Sequence, residues 1–131
     1  MSASVLALAM AFSLAPVPAD KPAEVLTKIG GKYDADGVDI SGKKYASRTT
    51  IEAEGDAYRV TWKMPDGTEF VGIGIRNGKT LSVSWAGQQP QGVLLGVMVY
   101  EIKKDGSLEG KWTMLGAKGK ISTETLTPIA E

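Results

Sequence analysis

The feature that most constrains this chain is a series of glycine-containing turn pairs separated by short runs of strand-forming residues. Three pairs, at 55–56 (Gly-Asp), 66–67 (Asp-Gly) and 77–78 (Asn-Gly), follow one another at intervals of 11 residues. The runs between them are rich in Val, Ile, Thr, Tyr and Trp, which favour strands over helices. The pattern predicts consecutive antiparallel β-hairpins.

Further turn signals divide the rest of the chain in the same way. Eight strands are predicted, near residues 31–38, 44–54, 57–64, 68–76, 79–86, 93–103, 107–115 and 119–127. Consecutive hairpins that share one apolar face most simply close into an up-and-down barrel. The predicted fold class is therefore all-β, an eight-stranded antiparallel up-and-down meander that forms a closed or partly closed barrel, with a two-sheet β-sandwich as the alternative.

Turn geometry sets the register of each hairpin and so decides which side chains share the inner face. A two-residue turn at 55–56 sets Ile51 opposite Val60. A bulged turn over 65–67 sets Trp62 opposite Phe70, and a type I′ turn at 77–78 sets Phe70 opposite Trp85. With a bulged turn at 105–106, the predicted inner face consists of Ile51, Ala53, Tyr58, Val60, Trp62, Phe70, Gly72, Gly74, Leu81, Val83, Trp85, Met98, Tyr100, Ile102, Leu108, Gly110, Trp112 and Met114.

The first charged side chain is Asp20, and an apolar run over 5–15 precedes it. The run has the length of the apolar part of a signal peptide, and small residues precede a cleavage site after Ala19. Residues 1–19 are therefore predicted to be a signal peptide, with cleavage after Ala15 or an N-terminal docking helix as the alternatives. A segment over 20–29, which can include a short helix around 23–29, is predicted to precede a single barrel-like domain over 30–131.

Composition narrows the classes of function. Lys and Arg together number 15, as do Asp and Glu, so the formal net charge is zero, and the chain contains neither His nor Cys. A balanced charge argues against a nucleic-acid partner. Without Cys and His, disulfides, thiolate nucleophiles, imidazole bases and zinc–thiolate sites are excluded.

Carboxylates remain as candidates for catalysis or metal binding. The aspartate-rich segment over 34–39 has Val38 where an EF-hand loop needs an oxygen ligand, so a solvated turn is expected there. Glu52 and Glu69 could form a pair of the kind that glycosidases use, but the predicted register places both on the outer face. We therefore expect no enzymatic activity, no metal site and no cofactor.

The three tryptophans are predicted to lie at one end of the barrel. Turns of a meander alternate between two ends, so the turn at 66–67 and loops at 86–92 and 116–119 share an end. The candidate ligand-binding residues at this end are Trp62, Phe70, Trp85, Gln88, Gln89, Trp112 and Met114. An aromatic mouth with amides at its rim suits a small apolar or planar ligand. The alternative is that the same side chains pack together and plug the barrel end.

A second candidate surface lies on the outer face. Val71, Ile73 and Ile75 on one predicted strand, and Val97 and Val99 on another, are predicted to point outward. Exposed aliphatic rows favour a contact that covers them. The candidates for this contact are the N-terminal segment, a second copy in a homodimer, or a protein partner.

Six short motifs carry a family resemblance. They are Gly31-x-Tyr33, Tyr58-x-Val-x-Trp62, Gly72-Ile-Gly-Ile75, Gly96-Val-x-x-Tyr100, Asp105-Gly-x-Leu-Glu-Gly-x-Trp112 and Glu124-Thr-Leu126. Together they resemble a group of small exported bacterial β-domains of uncharacterised function. More distantly, a Gly-x-aromatic opening strand followed by a meander is similar to the calycins, the lipocalin and avidin-like barrels, which usually have Trp where this chain has Tyr33.

These observations predict an exported, non-enzymatic binding domain, secreted or periplasmic in a bacterial envelope, with no membrane span in the mature chain. One alternative is a lipocalin-like carrier of a small apolar or aromatic ligand. The other is a protein-binding module, such as an adhesin or a protease inhibitor, or a structural envelope domain. The expected partner is accordingly a small apolar ligand or a protein, and not a nucleic acid.

Overall fold

A computed structural model describes residues 26–130 as one antiparallel β-barrel. Its strands are β1 (Gly31–Val38), β2 (Lys44–Glu54), β3 (Ala57–Lys63), β4 (Glu69–Asn77), β5 (Thr80–Gln89), β6 (Gly92–Ile102), β7 (Leu108–Met114) and β8 (Ser122–Pro128). Each strand pairs with the next along the chain, and pairing of β1 with β8 closes the sheet. The predicted closed up-and-down barrel is confirmed, and the two-sheet sandwich is wrong.

Most predictions for the N-terminal part concern residues outside those described. The signal peptide over 1–19 and both cleavage sites lie there, as does the start of the segment over 20–29. Within that segment, residues 26–29 form no helix, and Ile29 packs against the barrel core. Across residues 26–130, no helix has the length and apolar character needed to cross a membrane.

Three of the hairpin turns give the predicted registers, and the third of them, the turn at 105–106, pairs Ile102 with Leu108. Ile51 pairs with Val60 across the turn at 55–56, and Trp62 pairs with Phe70 across the turn that contains Gly67. At Gly67 the backbone φ is 90°, a conformation that glycine adopts without the steric cost of a Cβ atom. Local turn chemistry therefore sets these registers.

The turn between β4 and β5 lies one residue later than predicted. A type I′ turn would need positive φ at both Asn77 and Gly78, but only Gly78 has it, with φ 62°. The two-residue turn is therefore 78–79, and Phe70 lies opposite Gly87 instead of Trp85. Because side chains alternate with a period of two, this two-residue change in pairing keeps the same residues on the inner face.

The interior divides into two halves along the barrel axis. At one end, which we call the closed end, lie the turns at 55–56, 78–79 and 103–107. Most of its buried side chains are aliphatic and at most 4% exposed, namely Ile51, Leu81, Ile102, Leu108 and Leu126, and Tyr33 and Tyr58 pack beside them. At the other, open end, the inward-facing side chains are mostly aromatic or Met. Ala53, predicted inside, is exposed because it lies near the last position of β2, where the strand leaves the core.

Candidate functional site

A cavity of about 370 Å³ occupies the open end of the barrel. Seven of the eight strands and the loop between β1 and β2 contribute to its wall. The residues that line it are Asp39, Ile40, Ser41, Tyr45, Trp62, Met64, Phe70, Trp85, Leu94, Met98, Trp112, Met114 and Glu124. The aromatic side chains at this end therefore surround a space.

Most of the residues predicted to form the ligand mouth lie together in this wall. Those that line the cavity are Trp62, Phe70, Trp85, Trp112 and Met114. They come from β3, β4, β5 and β7, where period-two alternation turns every second side chain inward. The structure thus brings residues that lie up to about 50 positions apart in the chain to one end of the barrel.

Gln88 and Gln89 do not line the cavity. The predicted loop over 86–92 is instead mostly strand, because β5 continues through Gln89 and pairs with the start of β6. The Gln88 side chain is exposed, and its amide nitrogen donates to the backbone oxygen of Gln89 at 3.4 Å. No amide rim from these two residues surrounds the mouth.

The aromatic rings of the wall contact one another edge to face. Ring centroids are 6.3 Å apart for Tyr45 and Trp112, 5.9 Å for Trp112 and Trp85, and 5.6 Å for Trp85 and Phe70. The interplanar angles of these pairs are 72–87°. Edge-to-face contacts place the positive ring edge against the negative ring face and stabilise each pair by about 0.5–1.5 kcal/mol. The four rings therefore hold one another in fixed orientations.

Strand glycines make room for two of these rings. A Cβ atom at Gly96 would overlap the Trp85 indole, and one at Gly87 would overlap the Phe70 ring. Each ring occupies the space that a side chain on the neighbouring strand would otherwise fill. The rings thus lie against the sheet, which leaves the middle of this end open.

Glu124 lies in the wall of the cavity and is the one acidic side chain that is buried among residues 26–130, at 3% exposure. Its Oε1 accepts a hydrogen bond from the Tyr45 hydroxyl at 2.9 Å. Its Oε2 accepts from the Trp62 indole N–H at 3.2 Å and from the Tyr100 hydroxyl. Three neutral donors from three other strands therefore hold this carboxyl group.

Burial and hydrogen bonding act in opposite directions on the Glu124 pKa. Removal from water disfavours the charged form and raises the pKa above its usual value, while the donors Tyr100, Tyr45 and Trp62 lower it; the net shift is upward. Burial, followed by the nearby carboxylate, raises the pKa values of Tyr45 and Tyr100. Both tyrosines therefore keep their protons at neutral pH and can act as hydrogen-bond donors to Glu124.

Sequence reasoning missed Tyr45 and Glu124 because it derived faces only for strands joined by recognisable turns. A signal was present for Glu124. It lies two residues before Leu126 in a predicted strand, and residues two apart share a face of a strand. Since Leu126 is fully buried, the same alternation places Glu124 inside.

The other carboxylates lie in different surroundings. Glu52 and Glu69 are exposed, as the predicted register places them. Asp39 Oδ1 accepts hydrogen bonds from the Ser41 hydroxyl at 2.6 Å and from the backbone nitrogens of Ser41 and Lys43, both at 2.9 Å. These hydrogen bonds lower the pKa of Asp39 below its usual value, and the bond from the Ser41 hydroxyl contributes most. The described part of the chain holds no cluster of three or more acidic side chains arranged for a metal ion.

The outer face carries the aliphatic residues that the sequence predicted there. Val71, Ile73, Ile75, Val97 and Val99 are 40–69% exposed. On β5, between these two rows, the outward residues are small: Ser82, Ser84 and Ala86. A shallow groove with a volume of about 360 Å³ lies on this face, lined by Val71, Ile73, Ser84, Ala86 and Leu95 together with Glu54 and Arg59. We call this surface the outer groove.

No model of a known protein family matches the chain, and no curated protein matches it.

Proposed function

We propose that this protein is an exported, non-enzymatic binding domain of the bacterial envelope whose cavity holds a small apolar or aromatic ligand. The observation that carries the proposal is the aromatic cavity of about 370 Å³ at the open end. Ligand sites in proteins are typically concave, mostly apolar and roughly 300–1,000 Å³ in volume. The cavity is at the small end of that range, which favours a ligand of one to three rings.

The titratable groups in the wall support binding without chemical conversion. Ser41 lines the cavity and donates to Asp39, but a carboxylate with a lowered pKa is a weak general base. Glu124 accepts hydrogen bonds from three donors, and burial raises the pKa values of the two hydroxyls among them, Tyr45 and Tyr100, so neither ionises to a nucleophile at neutral pH. The apolar run at the start of the chain supports export.

Fluorescence titration of the full chain tests this proposal. N-phenyl-1-naphthylamine, a neutral probe that brightens in apolar surroundings, should show saturable binding. Trp85→Ala should weaken that binding at least about tenfold, because it removes the ring that contacts both Phe70 and Trp112. The matched control Ile73→Ala lies on the outer face and should bind as the wild type does.

Circular dichroism and urea unfolding would establish that both variants remain folded. Absence of saturable binding by the wild-type chain, across this probe and a panel of small aromatic compounds, would contradict the proposal.

A second candidate function is a protein contact made by the outer groove. The observation that favours it is the exposure of Val71, Ile73, Ile75, Val97 and Val99, which form two aliphatic rows on a single face. Ile73→Lys places a charge in the middle of this face without changing the interior. If the groove mediates self-association, sedimentation equilibrium should show an oligomer for the wild type and a monomer for the variant.

A further inference from the structure

We propose that the cavity is selective for small organic cations, in which an ammonium group beside Glu124 is attached to an apolar or aromatic body. The inference rests on the proposed function, since it requires that the cavity binds a small molecule. It goes further by naming the charge of the ligand and the residue that recognises it.

The charged side chains of the wall are of one sign. Asp39 and Glu124 are acidic, and none of the described residues that line the cavity is Lys or Arg. A concave site with low-dielectric walls and charge of one sign concentrates ligands of the opposite sign. The hydrogen bonds that lower the Asp39 pKa keep that carboxylate charged at the mouth.

Glu124 is held by donors but lacks a cationic partner among the ion pairs of residues 26–130. Those pairs are all on the surface and involve other carboxylates. An ionised carboxylate has about four lone-pair positions, and the donors from Tyr45, Trp62 and Tyr100 occupy three. Burial of a carboxylate without a cation is costly and raises its pKa, so a cation bound beside Glu124 would stabilise the ionised form and be attracted to it, against the cost of its own desolvation.

The aromatic wall suits the same kind of ligand. Cations are attracted to the negative faces of aromatic rings, most strongly to Trp, and more so when water is excluded. Trp62, Trp85, Trp112 and Tyr45 all line the cavity that Glu124 lines. Aromatic walls with one carboxylate hold a weakly hydrated ammonium group while the apolar part of the ligand contacts Phe70 and the Met side chains.

A neutral ligand or an anion fits this environment less well. A neutral molecule would offer no positive charge to stabilise the ionised form of Glu124, and an anion would be repelled by the Asp39 carboxylate and would disfavour ionisation of Glu124. The hydrophobic effect alone favours a neutral compound over a cation of the same shape. A preference for the cation would therefore have to come from the charge and the rings of the cavity.

Two probes of matching shape test the inference on the full chain. Benzyltrimethylammonium and neopentylbenzene differ by a quaternary nitrogen in place of a carbon. Quenching of tryptophan fluorescence gives a dissociation constant for each at pH 7. The cation is expected to bind at least about tenfold more tightly than the hydrocarbon.

Glu124→Gln keeps the side-chain shape and removes the charge, so the ratio of the two dissociation constants should fall toward one. The matched control Glu69→Gln makes the same change on the exposed outer face and should retain the wild-type ratio. If Glu124→Gln does not fold, the comparison of the two probes on the wild type still decides whether the cavity selects cations.

The outcomes separate this inference from the proposed function. If the wild type binds neopentylbenzene as tightly as the cation or more tightly, cation selectivity is wrong, while the proposal of a ligand cavity stands. A cation preference that survives Glu124→Gln would overturn the assignment to this carboxylate. If the wild type binds neither these probes nor the neutral panel, both proposals fail.

Discussion

The closed and open ends of this barrel share one sheet, yet their interiors differ in chemistry. At the closed end, aliphatic side chains such as Leu81 and Leu126 are fully buried and fill the space between strands. At the open end, large rings lie against strand glycines and against one another, which leaves a cavity of about 370 Å³. Branched aliphatic chains interdigitate to native density, whereas planar rings in edge contact do not fill a narrow cylinder.

The two ends of the barrel therefore differ in role, the closed end being packed and the open end bordering the cavity. The fully buried aliphatic side chains lie at the closed end, so we expect truncations there to destabilise the domain more than truncations of side chains that border the cavity. Glu124 lies in the aromatic half, and Tyr100, which donates to it, is itself fully buried. The carboxyl group is thus positioned by a side chain whose surroundings are rigidly packed.

The largest expected effect is a truncation in the closed end. Leu126→Ala removes a fully buried side chain and leaves a cavity, so the free energy of unfolding should fall by about 2–5 kcal/mol. Met114→Ala at the open end should cost clearly less, because Met114 is half-buried and already borders a space. Urea unfolding of the two variants measures the difference, and equal costs would contradict the division between the ends.

A smaller effect is expected where a ring lies over a glycine. Gly96→Ala places a methyl group into the Trp85 indole and against the Thr113 backbone oxygen, so the free energy of unfolding should fall by about 1–3 kcal/mol and the tryptophan emission should shift. In Trp85→Leu, which lacks the indole, the same Gly96→Ala change should cost less. A double-mutant cycle measures this coupling. Independent, additive costs would mean that the glycine does not make room for the ring.

Glu124→Gln, which removes the charge and keeps the side-chain shape, should have a smaller effect on the free energy of unfolding, and this effect should depend on pH. The folded-state pKa of Glu124 is raised above 4.5, its value in the unfolded chain. Its contribution to stability is therefore fully present below pH 4.5 and is lost as pH rises through the folded-state pKa. Glu124→Gln removes this loss, so the variant should gain stability relative to the wild type between pH 4 and pH 7.

Urea unfolding of wild type and Glu124→Gln at several pH values tests this expectation. The titratable groups that face Glu124 are Tyr45 and Tyr100, which stay protonated across this range, and Asp39 also lines the cavity. Asp39 titrates below its usual pKa, so most of its change lies below the window. A stability difference between the two proteins that does not vary with pH would show that Glu124 does not titrate there.

The smallest effect is expected on the outer surface. Arg48 and Asp34 form an ion pair of 3.3 Å with side chains that are 59% and 63% exposed. Because solvent and salt screen such pairs, Arg48→Gln should change the free energy of unfolding by no more than about 0.5 kcal/mol. Urea unfolding at low and high salt measures this, and a loss comparable to that of Leu126→Ala would show that surface charge contributes as much as the packed end.

Local signals in the sequence predict the inner face of the barrel but not all of the cavity wall. Trp62, Phe70 and Val60 were placed on the inner face because turn chemistry and period-two alternation are local signals. Gln88 and Gln89 were misplaced because pairing with β6 extends β5 beyond the point where its composition stops favouring a strand. Glu124 was missed because no recognisable turn fixes the register of its strand, and its hydrogen-bond partners are distant in sequence.

The order of amino acids by itself determined the hairpins, their inner faces and the position of the tryptophans at one end. These follow from turns and alternation, which act over a few residues. Only the tertiary structure decided that a cavity remains and that Tyr100, Trp62 and Tyr45, which are 24, 62 and 79 positions from Glu124 in the chain, meet at its carboxyl group. Closure of β1 on β8 sets these contacts, and since no turn joins those two strands, no local signal in the sequence specifies them.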